Sequence, residues 1–398
     1  MAVQRDRLTW MVYSQIAIYG FSLYSFGPAV TLLGDDEHVS RAIAALHGTG
    51  LAVGTVVAGV LAPRLIRRFG RVRMMWAALT TLSSGVLVMI SCDVVPITIA
   101  GAVMSGIGGT LVGNLAVAML TAHHGGALGR ASVTESTGVG ATIGTFAPLC
   151  VGGAIAIGLG WRAAMLGTVV MTLAVAIVFG RSVPRDQPSA HAAPVQHPTG
   201  RLSLEYWRAC LVIVMTTAVE FSMTIWTSDV LHNHDGLSKG TAATGVTAIV
   251  AGMAIGRLSC SRLALRYGAD GLLLTSYAVM LVGFTAFWIS TTPVLSFAGL
   301  FVSGLGISLH FPLGITRMVG FSDGRPDVAT SIASLGAGLA IGIAPFGLGA
   351  LADKVGSHTA MLIVPAFMLM ATVGVVTTRR QPSISAPRVI GDAPAAPA

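Results

Sequence analysis

Residues 96–121 read PITIAGAVMSGIGGTLVGNLAVAMLT. The segment is 26 residues long and holds no Asp, Glu, Lys or Arg. As a helix it would rise about 39 Å, enough to cross the ~30 Å hydrocarbon core of a bilayer. A helix of this length in water needs a charged face, and this one has none. Eleven further stretches share its character, near 8–33, 39–62, 74–92, 132–159, 162–180, 207–231, 240–261, 271–290, 293–316, 328–351 and 358–378. Twelve spans consume most of the 398 residues and leave no room for a soluble domain. The expected fold class is an all-α integral membrane protein with twelve transmembrane helices.

Composition agrees. Charged residues are 10% of the chain, against about 25% in soluble domains. The 49 glycines suit close helix packing in lipid. The net charge of +8 is not a nucleic-acid footprint, because the arginines stand at the ends of apolar runs and form no basic face. The four cysteines lie far apart with no metal-ligand spacing, so no metal or cofactor is expected. Leu8 to Leu33 is too long for a signal-peptide core and reads as the first span.

With the N-terminus inside, the inner loops hold 20 of the 24 Lys and Arg residues, while Arg41, Arg162, Lys239 and Lys354 fall outside. That bias is the positive-inside pattern. It predicts a multi-pass protein of the inner (cytoplasmic) membrane with both termini in the cytoplasm. Pro184, Pro188, Pro194 and Pro198 interrupt the apolar pattern near the middle. The expected organisation is a six-helix bundle over 1–181, a flexible linker over 182–205, a second bundle over 206–378 and a disordered tail over 379–398.

The two halves repeat at one offset of 198 residues. Gly54 matches Gly252, Arg64 matches Arg262, Leu65 matches Leu263, Arg68 matches Arg266 and Gly70 matches Gly268. Farther on, Gly101 matches Gly299, and Ser105, Gly106 and Gly108 match Ser303, Gly304 and Gly306. Gly138, Gly140 and Gly144 match Gly336, Gly338 and Gly342. A register that aligns loop arginines as well as helix glycines implies two parallel copies related by an axis along the membrane normal.

The chain resembles the major facilitator superfamily over nearly its whole length. Its strongest motif is GVLAPRLIRRFGRVR at residues 59–73, where Pro63 stands in place of the family's usual Asp. A weaker copy runs from Gly256 and Arg257 to Gly268, and Gly349 to Gly356 is a third echo that keeps Asp353. The resemblance implies a conformational latch at Gly59, Arg64, Arg68, Gly70 and Arg71. The residue-level alternative is a topology signal, with arginines anchoring a short loop to headgroups. Span five, with Gly140, Gly144, Pro148, Gly152 and Gly153, is similar to the Gly/Pro signature of the family's proton-coupled exporters. Span eleven has a related set in Gly338, Gly342, Pro345 and Gly349. Gly144, Pro148, Gly342 and Pro345 are therefore expected to pack and bend helices. In span four Ala102 occupies the exporters' Arg position.

Ionisable groups inside spans are functional candidates because charge is costly there. Glu220 lies about 20 Å into span seven. It reads either as a proton- or substrate-binding carboxyl or as a neutral group bonded between helices. His310, just before Phe311 and Pro312, reads as a proton relay or as a core histidine. His47 leans structural. Asn114 bonds substrate or joins helices. Tyr24, Phe221 and Trp226 are candidate cavity aromatics, because spans one and seven line the cavity in this family; lipid-facing packing is the alternative. Ser132 and Glu135 have the spacing of a helix capping box. Asp229, His232, His234 and Asp235 read as a solvated loop rather than a metal site.

No P-loop and no nucleophile–base pair occurs, so neither an ATP-driven pump nor an enzyme is indicated. The expected function is secondary active transport of a small molecule by alternating access, as proton-coupled efflux, by a monomer whose partners are substrate, protons and lipid. Uptake symport of a sugar or organic acid and a non-transporting receptor of the same fold are the alternatives.

Overall fold

The computed structural model describes residues 4–180, 202–260, 269–322 and 326–378. Arg262, Leu263, Arg266, Gly268, most of the expected linker and the tail lie outside them. The first half runs α1 (Arg7–Asp36), α2 (Arg41–Phe69), α3 (Arg71–Ile90), α4 (Val95–His124), α5 (Gly126–Ala156) and α6 (Trp161–Phe179). The second runs α7 (Leu204–Asn233), α8 (Lys239–Cys260), α9 (Ala269–Trp288), α10 (Pro293–Ile307), α11 (His310–Gly320), α12 (Pro326–Val355), α13 (Ser357–Ala360) and α14 (Ile363–Val376). Among the described residues, eleven helices or helix pairs are long and apolar enough to cross a membrane. The remaining long helix, α8, carries Lys239 and Arg257 and brings the long helical segments among the described residues to twelve.

The ends are set by local chemistry. Asp6, Ser40 and Ser203 accept the N–H of Thr9, Ile43 and Tyr206 and so cap α1, α2 and α7. Gly70, at φ 81°, is the single residue between α2 and α3, a backbone conformation that a side chain would strain. Spans ten and twelve, expected to be continuous, are each broken. The breaks fall at Ser308–Leu309 and Met361–Leu362. Pro312 and Pro365 stand four residues after Ser308 and Met361 and offer them no N–H, so the ladder lapses there. The capping box is also corrected. Helix α5 begins at Gly126, and the Ser132 hydroxyl bonds back to the Gly129 carbonyl. Glu135 instead accepts the Tyr13 hydroxyl at 3.0 Å and the Arg5 guanidinium at 3.3 Å.

The repeat is written into the packing. A methyl group at Gly54 would strike the carbonyl of Val103, and one at Gly252 would strike that of Phe301. Gly106 faces the Leu51 carbonyl as Gly304 faces that of Ile249. Gly85 abuts Ser105 and Gly101 as Gly283 abuts Ser303 and Gly299. Each pair is 198 residues apart, so the two six-helix bundles share one internal design. Small residues let backbones approach where lipid supplies no hydrophobic drive between helices.

Candidate functional site

The helices place four polar side chains together at mid-membrane. Tyr19 and Tyr24 come from α1, Glu220 from α7 and Arg257 from α8. Tyr24 lies about 18 Å and Glu220 about 20 Å from the ends of their helices at Asp36 and Asn233. The Arg257 guanidinium sits against the Tyr24 hydroxyl and within electrostatic reach of Glu220. No direct ion pair joins Arg257 to Glu220 among the described residues, and Arg257 Nε has no hydrogen-bond partner. Tyr19 lies within the field of both Tyr24 and Glu220. A low-dielectric setting strengthens each of these interactions. The cluster thus offers one cation, one carboxyl and two hydroxyls, drawn from both bundles.

Arg257 corrects the sequence reading, which counted it among the inner-loop bases. It stands 198 residues after Gly59, in the weaker copy of the latch motif, and that register hid it. Its place inside the apolar run of α8 was the available signal.

His310 does not join this cluster. It is 1% exposed in the second bundle, with its ring edge-on to Tyr277 at 5.0 Å. The Ser276 backbone lies beside the ring, but neither ring nitrogen completes a hydrogen bond of ordinary geometry. Asn114 is exposed on α4, four residues from Thr110, which bonds to Thr55 of α2. Phe221 is half-buried against the core. Trp226 is not a cavity aromatic: it is 1% exposed, and its indole N–H donates to the Pro345 carbonyl at 2.9 Å.

Trp226 belongs to a seal at the face opposite the chain termini. There the Thr31 hydroxyl lies 3.1 Å from Ser228, and the Thr49 hydroxyl donates to the Gly342 carbonyl at 2.7 Å. Arg41 Nε meets Asp229 at 3.0 Å and Lys239 meets Asp35 at 2.5 Å. The Asp353 carboxylate accepts the N–H groups of Arg41 and Ala42. Apart from the Arg257–Tyr24 contact at mid-membrane, every hydrogen bond between the bundles among the described residues lies in this half of the molecule, and none bridges them at the terminal face. The latch arginines stand at that terminal face. Arg64, Arg67 and Arg68 are exposed, and none of Arg64, Arg68 and Arg71 forms an ion pair with a described residue. Nothing lies within 4 Å of a methyl group at Gly59 in this conformation.

The expected packing positions lie in α5 and α12. A methyl group at Gly144 would strike the Tyr24 ring, and one at Gly342 would come within 3.1 Å of Ala52. Pro148 and Pro345 lie inside continuous helices. The loop cluster is held by protein partners: His232 by the Leu237 carbonyl, His234 by Asp235, and Asp235 by Ser296. No group of three metal-ligating side chains forms among the described residues. A crevice beside Tyr19 and Phe26 in the first bundle holds about 20 Å³, room for water but not for an organic solute.

Two pseudo-symmetric helical bundles, sealed at one face and meeting in a polar mid-membrane cluster, define a transporter architecture. The family model of the Major Facilitator Superfamily matches residues 12–259 and 209–397, and the chain belongs to that family. No curated protein sequence matches it. In fold it is similar to a bacterial homolog of the human lysosomal transporter Spinster, inward-facing and occupied, at 14% identity, TM-score 0.75, and 95% and 98% coverage of the two chains. A mutant of the nucleoside transporter NupG gives 12% identity, TM-score 0.75, and coverage of 94% and 99%. A D-xylose–proton symporter gives 14% identity, TM-score 0.75, and coverage of 94% and 97%.

Proposed function

We propose that the protein is a secondary active transporter that works by alternating access and couples protons to a small organic anion at the Tyr19–Tyr24–Glu220–Arg257 cluster. The observation that carries this reading is Arg257 beside Glu220 with its Nε unpartnered. While Glu220 is ionised, it offsets the guanidinium. Protonation of Glu220 leaves Arg257 uncompensated in a low-dielectric site, and a carboxylate or similar anion then binds favourably. Proton and solute thus bind together, which is symport. The two tyrosines supply hydroxyl donors and ring faces for an organic body.

With both termini in the cytoplasm, the sealed face is external and this conformation faces inward. The cluster then exchanges solute with the cytoplasm, and uptake follows the proton gradient. Efflux is the second reading, favoured by the Gly144 and Pro148 pattern of α5.

The test is counterflow and pH-driven flux in proteoliposomes, using a panel of labelled organic acids, sugars and amphipathic cations. Glu220→Gln is expected to keep counterflow of the bound solute and lose pH-driven accumulation. Arg257→Gln is expected to weaken solute binding roughly tenfold or more, the scale of a lost hydrogen bond to a charged group. Full pH-driven accumulation by Glu220→Gln sinks the coupling role.

A further inference from the structure

A second polar cluster lies away from the central site, buried in the first bundle near the sealed face. Glu37 follows the end of α1, His47 stands in the second turn of α2, and Thr98 in the first turn of α4. The side chains of Glu37 and His47 are 0% exposed, and so is Thr98. Thr98 Oγ1 lies 2.5 Å from Glu37 Oε1 and 2.9 Å from His47 Nε2. His47 Nδ1 lies 2.8 Å from the Ala44 carbonyl. Glu37 Oε2 has no partner.

Counting protons decides what this cluster holds. A carbonyl oxygen only accepts, so Nδ1 carries a hydrogen. Thr98 Oγ1 also lies 3.0 Å from the Val95 carbonyl and 3.3 Å from that of Val94, which compete for its hydrogen. Its two side-chain contacts, to Nε2 and to Oε1, each need a hydrogen between their heavy atoms. The threonine hydroxyl has one hydrogen to give. At least one more must sit on His47 Nε2 or on Glu37. Two arrangements supply it: imidazolium with carboxylate, or neutral imidazole with carboxylic acid. Both carry one proton beyond the pair of carboxylate and neutral imidazole, and both leave the cluster without net charge, as a buried site requires. Without that proton, one contact becomes acceptor against acceptor.

The neighbouring ionisable groups have partners of their own. Asp36 and Asp93 meet Arg162, Asp35 meets Lys239, and Arg41 meets Asp229 while its backbone meets Asp353. His38 is exposed. None of these forms a hydrogen bond or ion pair with the Glu37–Thr98–His47 chain.

We infer that Glu37, Thr98 and His47 form a proton-binding site, separate from the central cluster, whose occupancy is linked to closure of the seal. The linkage follows from position. Glu37 lies between Asp35 and Arg41, both of which bond across to the second bundle. His47 precedes Gly48, which faces Ile225 of α7 and Ile341 of α12. Proton loss drives the three side chains apart and moves the α1–α2 connector that carries those bonds. Because the protonated site holds the connector that carries the sealing bonds, proton binding favours sealing, and opening of the seal releases the proton outward.

The site stands on its geometry, while its consequence rests on the alternating-access reading. The test places spin labels at Leu159→Cys and Val294→Cys, one at the sealed face of each bundle, in a chain freed of native cysteines, in nanodiscs. Their separation is measured across a pH series. The opened fraction is expected to rise with pH. Glu37→Gln supplies the missing hydrogen from its amide without titrating, so it should stay sealed throughout. Glu220→Gln should keep the pH response. His47→Gln leaves Glu37 to hold the proton without the imidazole, and should move the midpoint by roughly 1–2 pH units. A seal insensitive to pH, a Glu37→Gln response like that of the parent, or an unmoved midpoint in His47→Gln overturns the inference. Flux through Glu220→Gln tests the transport reading separately.

Discussion

The carboxylate of Asp353 accepts the backbone N–H of Arg41 at 2.8 Å, across the boundary between the bundles. Its second oxygen takes the N–H of Ala42 at 3.0 Å. Arg41 opens α2 and Asp353 lies in the last turn of α12, so one bundle caps a helix of the other. The first N–H groups of a helix lack internal partners and carry partial positive charge, which an anion complements.

This cap exists only while the seal is closed. Asp353→Ala should therefore destabilise the sealed state by about 1 kcal/mol, roughly a fivefold fall in its population. Asp353→Asn, which keeps one acceptor, should fall between. Spin-label distances across the sealed face report both. A sealed population equal to that of the parent in Asp353→Ala would show that the contact is incidental.

Trp226 should affect stability and leave solute recognition alone. Its ring packs on Gly349, and its N–H holds the Pro345 carbonyl. Trp226→Phe loses one buried hydrogen bond, about 1 kcal/mol, and Trp226→Ala loses a filled core site, about 3–5 kcal/mol. Thermal unfolding in detergent should rank the two in that order. Solute affinity should stay within about twofold in Trp226→Phe, in keeping with an environment-dependent effect well below one lost hydrogen bond. A large affinity loss would return Trp226 to the cavity.

Much of this was legible in the sequence because lipid imposes simple rules. Spans showed as runs without charge, and the duplication showed as glycines in one register. Gly54 and Gly252 meet equivalent carbonyls, so the register was a packing constraint before it was a pattern. Breaks at Ser308 and Met361 were missed because hydropathy does not respond to a missing N–H; Pro312 and Pro365 held that information. The partner of Glu220 was missed because Arg257 is 37 positions away and joins it through tertiary packing. Trp226 was misread for a related reason. Knowing that a helix borders the cavity does not say which of its faces does.

Asp6 gives a pH effect outside the spans. Partial burial pushes its carboxyl up, but the hydroxyl and N–H of Thr9 and the His123 ring together hold it below the ordinary carboxylate value of 3.8. A group depressed in the folded state contributes stability above its unfolded pKa and loses it as pH falls through the folded value. Its benefit to the α1 cap is thus complete above about pH 4 and fades below that. With 46% of the side chain exposed, solvent screens the effect, and it should be small. Asp6→Asn should melt slightly lower than the parent at neutral pH, with the two curves converging as pH drops toward 3. Curves that stay parallel would remove Asp6 from the account of acid sensitivity.

The duplication makes a sharper demand. Gly106 and Gly304 face the carbonyls of Leu51 and Ile249, so Ala at either position must push two backbones apart. Overpacking of this kind costs about 1–3 kcal/mol. The two substitutions should lower the melting temperature and the yield of monodisperse protein by similar amounts. Gly59→Ala is the contrast. Nothing lies within 4 Å of the added methyl group, and alanine is favoured over glycine in a helix by about 0.8–1 kcal/mol. That variant should fold as well as the parent or better. Size-exclusion profiles and melting curves of the three variants settle the matter. If Gly106→Ala and Gly304→Ala differ widely, the bundles do not share one packing design; if Gly59→Ala destabilises this state, a neighbour approaches Gly59 that this conformation lacks.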